Sequence, residues 1–180
     1  SEQLIVLLSV LERAENLESL NFGDNFSQLD DRVRESAFPQ SLESLDLSWT
    51  SLTAEGLTQL LPLISRLSNL VELYLGGNDF SGLTLNTTMA AFPPNLERLD
   101  LSWTSLTAEG LIQLLPLLSR VSNLEILDLS NTELTAEGLT QLLSLLSRGS
   151  NLLELSLGGN NFSGLTLNTT IAAFPPNLER

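Results

Sequence analysis

The chain has 180 residues, 42% of them hydrophobic, and its 22 acidic against 8 basic side chains leave a formal charge of −14. It contains no histidine, cysteine or lysine, which excludes Ser-His-Asp and Cys-His catalysis, ordinary zinc sites, Schiff-base chemistry, P-loops and disulfide staples. The acidic field argues against nucleic acid as a partner and favours a basic partner or divalent cations, although acidity also simply keeps a leucine-rich chain in solution.

No uninterrupted apolar run of about 18 residues is present, so no membrane insertion is expected. The opening Ser1-Glu2-Gln3 lacks the basic segment of a signal peptide. Residues 1–16 align without a gap onto 54–69 and read as the second half of a repeat. From Leu17 onward a signature, L-x-x-L-x-L-x-x-[N/T]-x-[L/F], recurs in full or nearly so, starting again at Leu42, Leu70, Leu96, Leu124 and Leu152 and cut short at Leu178. The spacings are 25, 28, 26, 28, 28 and 26 residues. A fixed motif at such a period marks a solenoid in which each unit buries its apolar side against its neighbours.

The long unit is seen from Leu42. Leu45-Asp46-Leu47 alternates and predicts a short strand with both leucines inward. Thr53 fits a helix N-cap, with Glu55 in the first turn where the helix dipole favours a negative charge. Leu57, Leu60, Leu61 and Ile64 form one helical face, and Arg66 lies near the favourable C-terminal end. Pro62 is expected to end or kink this helix, although Ser9 and Ser144 hold its place in other copies.

The short unit is seen from Leu70. Its strand is similar, but its return path is poor in helix formers. Met89 and Phe92 predict one brief helical or 3₁₀ turn after Thr87-Thr88, stopped by Pro93-Pro94. The units run long, short, long, short, long, long, short. We expect one array over residues 1–180 with about six strand-bearing repeats, uncapped at both ends and so a piece of a longer protein.

In the signature's amide position stand Asn25, Asn78 and Asn160 in short units, and Thr50, Thr104 and Thr132 in long ones. An amide offers both donor and acceptor to backbone groups that leave the sheet, whereas threonine offers a single hydroxyl donor. The hydrogen-bond ladder should be thinner through the long units.

These motifs resemble the leucine-rich-repeat family across essentially the whole chain. The long unit, with its LT-x-x-GL tail, is similar to the ribonuclease-inhibitor-like subtype; the GGNDFSG of the short unit resembles plant-receptor repeats but lacks their following Ile-Pro. The resemblance implies an α/β horseshoe arc, with a parallel sheet on the concave face and helices and short helical turns on the convex face. It says little about function, because such scaffolds carry many unrelated binding roles.

Strand residues that flank the inward leucines point to the concave face. There the sequence puts an interrupted acidic column, Asp46, Asp100 and Asp128, together with Glu72, Tyr74, Arg98 and Glu154 and the aromatics Trp49 and Trp103. At roughly 4.8 Å per strand the tryptophans would lie about 10 Å apart, with Gly76-Gly77 between them as a gap for a flat group. The opposing reading folds each indole over its own turn; both come from one copied segment, SWTSLTAEGL, so they are not independent. Stacked carboxylates suit a basic ligand or weak calcium, but no loop has a dedicated calcium ligand set and no metal site is assigned.

Candidate N-glycosylation acceptors are Asn25, Asn86, Asn161 and Asn168, about the number chance would supply. They tilt the location toward the cell exterior or surface, whereas resemblance to ribonuclease-inhibitor-like repeats suggests the cytoplasm.

The favoured function is a recognition module that binds a protein, peptide or glycan on the concave face. The alternative is a structural shaft or filament built by end-to-end self-association. No enzyme activity or cofactor is expected, because nothing desolvates a carboxylate for acid-base work.

Overall fold

The computed structural model describes residues 10–11, 13–22, 38–85, 91–146 and 151–165. Six strands form one parallel sheet in sequence order: β1 (Ser19–Asn21), β2 (Ser44–Asp46), β3 (Glu72–Tyr74), β4 (Arg98–Asp100), β5 (Ile126–Asp128) and β6 (Glu154–Ser156). The register superposes the central leucines, Leu20, Leu45, Leu73, Leu99, Leu127 and Leu155. One strand per repeat, stacked without a crossover, defines the α/β leucine-rich-repeat solenoid.

Three helices lie opposite the sheet among the described residues: α1 (Ala54–Ile64), α2 (Ala108–Leu118) and α3 (Ala136–Leu146). Each belongs to a long unit. Thr53 and Thr107 cap the first two, their hydroxyl oxygens accepting from Gly56 N–H at 3.2 Å and Gly110 N–H at 3.3 Å. Leu57, Leu60, Leu61 and Ile64 are all fully buried, as the helical spacing predicts.

Pro62 does not end its helix, which runs two residues further to Ile64. Helix α3 carries Ser144 at that position and covers the same eleven positions, so the proline does not set the length. Its missing N–H removes one ladder bond, to the carbonyl of Thr58, and the helix continues past that loss. Arg66 lies just beyond the C-cap residue Ser65.

The short unit from Leu70 fills its interior differently. Its described return path, residues 79–85 and 91–95, is not helical, and Phe80, Leu83 and Phe92 supply the buried side chains. The helical turn expected after Thr87-Thr88 and around Met89 lies outside the described residues, as do Asn25, Asn86 and Asn168.

A second amide row, which the sequence reading missed, joins neighbours at the start of three of the signatures. Asn69, Asn95 and Asn151 donate to the carbonyls of Gln40, Ser68 and Ser122 at 2.9, 2.8 and 2.8 Å. No helix among the described residues is long and apolar enough to cross a membrane.

Candidate interaction surface

The strands set out the concave face as two rows of side chains, all half-buried or exposed. One row reads Ser19, Ser44, Glu72, Arg98, Ile126, Glu154; the other reads Asn21, Asp46, Tyr74, Asp100, Asp128, Ser156. All the strand residues singled out from the sequence therefore share this face. Asp100 and Asp128 are direct neighbours, whereas Tyr74 separates Asp46 from Asp100.

Arg98 stands beside its register partner Glu72, with Nε 3.9 Å from Oε1. Both side chains are more than a third exposed, so this pair is weak and salt-screened. Burial, and then the Glu72 charge, raise the Tyr74 phenol above its ordinary value, which keeps it a neutral hydroxyl. Among the described residues no group of three or more acidic side chains is placed to hold a metal ion.

The chain leaves the sheet by two different routes. In long units the aspartate's Oδ1 accepts the N–H of the serine two residues on: Asp46 from Ser48 at 2.9 Å, Asp100 from Ser102 and Asp128 from Ser130 at 2.8 Å. This Asx turn locks the backbone locally. Asp46 also accepts from Asn21 Nδ2 through its other oxygen, at 2.6 Å. Short units have Gly76-Gly77 and Gly158-Gly159 at the serine and tryptophan positions.

The residue that follows is left-handed in every described repeat from the second onward. The φ values are 59° at Trp49, 69° at Gly77, 58° at Trp103, 54° at Asn131 and 72° at Gly159. Glycine adopts this region freely, while for tryptophan it costs on the order of 1 kcal/mol. Both tryptophans nevertheless stay open to solvent, Trp49 at 61% and Trp103 at 57%.

The structure corrects the picture of two indoles around an empty gap. The Trp49 indole lies against Gly77 so closely that a Cβ there would collide with its ring. Gly76 is closed from the other side, where an added Cβ would sit 3.1 Å from Ser102 Oγ and 3.3 Å from Asp100 Oδ2. Trp49 thus rests on the next repeat and offers its outer surface to solvent. In the repeat after that of Trp103, the position that corresponds to Gly77 holds Asn131. The alternation of tryptophan with glycine was the available sign of a left-handed backbone.

Asn161 is exposed, and its Oδ1 accepts Ser163 N–H at 3.1 Å. Asp79 makes the same turn onto Ser81 at 3.0 Å. The Ser81 hydroxyl and N–H hold the Asp79 carboxyl below its ordinary value.

The family model described as Leucine Rich repeat matches residues 38–61, 92–115 and 122–143. Comparison with curated proteins gives no match. Among solved structures, the fold is similar to Leiomodin-1 Actin-Binding Site 2, with TM-score 0.51 and 12% identity over 90% of this chain and 79% of that one. It is similar to the tropomodulin C-terminal domain of Caenorhabditis elegans, with TM-score 0.51 and 15% identity over 95% and 85%. An internalin from Listeria monocytogenes overlaps less well, with TM-score 0.43 and 19% identity over 92% and 62%.

Proposed function

We propose that this chain is a non-catalytic protein-interaction module that receives its partner on the concave face. The observation that carries this reading is the pair of solvent-exposed tryptophans held in left-handed backbone. A glycine there would avoid the strain, and exposed indoles contribute little to the fold, so their value lies in contact with something else. Asp46, Glu72, Tyr74, Arg98, Asp100, Asp128 and Glu154 surround them as the polar part of the surface.

The partner is a protein or peptide segment bearing basic side chains, with a glycan as the competing ligand. Charge complementarity supports the basic character, since the chain carries −14 and Arg98 is already paired with Glu72. A solved structure of similar shape, described as an actin-binding site, supports a protein partner for this architecture.

Selection of peptides from a random library on the immobilised chain tests the proposal. Basic peptides should be enriched and should lose binding to the Trp49→Ala, Trp103→Ala double variant. Peptides that bind both forms equally would contradict it.

A further inference from the structure

Four equivalent backbone N–H groups follow the amide position in repeats two to five. Leu52 N–H reaches Asn78 Oδ1 at 2.8 Å and Leu134 N–H reaches Asn160 Oδ1 at 3.0 Å. Phe80 N–H reaches the Thr104 carbonyl at 2.8 Å. The fourth, on fully buried Leu106, faces a repeat whose amide position holds Thr132. The Thr132 hydroxyl donates to Leu129 O at 2.7 Å, and among the described residues no acceptor meets the Leu106 N–H.

The route open to Phe80 is closed to Leu106. Left-handed Ser105 (φ 48°) directs this N–H toward the next repeat's side chain, as Ser51 (58°) and Glu133 (60°) do for Leu52 and Leu134. In those two places an asparagine waits, and its Nδ2 also bonds across to Leu47 O at 2.8 Å and Leu129 O at 2.7 Å. At the joint between repeats four and five both kinds of cross-link are missing among the described residues, and the Thr104 hydroxyl donates within its own repeat, to Leu101 O at 2.6 Å.

The opposite side of this joint is tight. Gly138 of α3 comes so near Ala108 of α2 that an added Cβ would lie 3.1 Å from the alanine Cβ. The sheet also stays paired, with Leu101 N–H and Trp103 N–H donating to Asp128 O and Ser130 O at 2.9 Å each.

We infer that the joint between repeats four and five is a hinge, clamped by α2 and α3 and loose where the chain leaves the sheet, so that local opening of the array begins at Leu106. A buried N–H without an acceptor gives up its hydration for nothing, and an opening that admits water relieves it.

Residue-resolved amide hydrogen exchange on the intact chain tests this. Leu106 should exchange about tenfold faster than Leu52 and Leu134, as expected for one lost buried hydrogen bond. Leu106 lies between the other two in the array, so fraying from either end cannot produce that order. In Thr132→Asn the new amide should bring Leu106 close to the rate of Leu52. Equal rates in the unmodified chain, or a folded Thr132→Asn in which Leu106 is unchanged, would overturn the inference. If that variant does not fold, the comparison within the unmodified chain decides alone.

Discussion

The turn from Asp46 to Thr50 and the turn from Tyr74 to Asn78 solve one problem in two ways. Both take the chain off the sheet at the same place, through a left-handed residue, and both bury the residue that follows. The long unit holds its backbone with an aspartate and leaves the left-handed position to a tryptophan. The short unit uses two glycines and invests its hydrogen bonding in a buried asparagine. The short unit therefore ties the stack together through its amide, and two of the long units carry a solvent-exposed indole at the left-handed position. Their alternation seats Trp49 on Gly77, one kind of repeat serving the other.

Removing the buried amide should break the short unit most. Asn78 Nδ2 donates to Leu47 O and Leu75 O at 2.8 Å each, while its Oδ1 accepts from Leu52 N–H. Asn78→Ala should cost about 3–4 kcal/mol in urea unfolding, against about 1 kcal/mol for Thr104→Val, because several buried groups lose partners in the first case. Similar costs at both positions would erase the distinction between the two turns.

Glycine substitutions sharpen the seat. Gly77→Ala should cost about 2–3 kcal/mol and shift tryptophan emission, since the methyl group strains the backbone and displaces the indole. Gly82, at φ 70°, has no atom within 4 Å of an added Cβ, so its replacement should cost only about 1 kcal/mol and leave the emission alone. The tryptophans themselves should matter little to the fold. The Trp49→Ala, Trp103→Ala variant should change stability by under about 1 kcal/mol while abolishing partner binding.

The smallest effect lies at the rim. A carboxyl depressed in the folded state stabilises the fold above its unfolded value, and that contribution is lost as pH falls through the folded value. Asp79 is such a group, and Asn161 makes the same turn without titrating. Asp79→Asn should therefore lower stability slightly at neutral pH and flatten its loss below pH 3.8. A chevron or equilibrium series across that range would show it.

Most of this architecture could be read directly. The inward leucines, the Thr53 cap and the helical face through Ile64 follow from spacing, because burial and periodicity are properties of the one-dimensional pattern. The thinner ladder through Thr104 and Thr132 also follows from counting donors. The seat of Trp49 did not, because spacing gives the side of the sheet a residue faces and not its φ or the direction in which its ring leans. The turn role of Asp46, Asp100 and Asp128 was written as Asp-x-Ser in each long unit, but the column of like charges drew attention first. The missing acceptor at buried Leu106 needed the path of the whole turn, since Phe80, also followed by a threonine repeat, finds an acceptor.

The most direct measurement is of the indole Nε1–H signals, only two in this chain, as the most enriched library peptide is titrated in. The account predicts that both shift and saturate together with backbone signals of β2 to β4, while those of α1 to α3 stay in place. Shifts confined to the helices, with both indole signals unmoved at saturation, would contradict it.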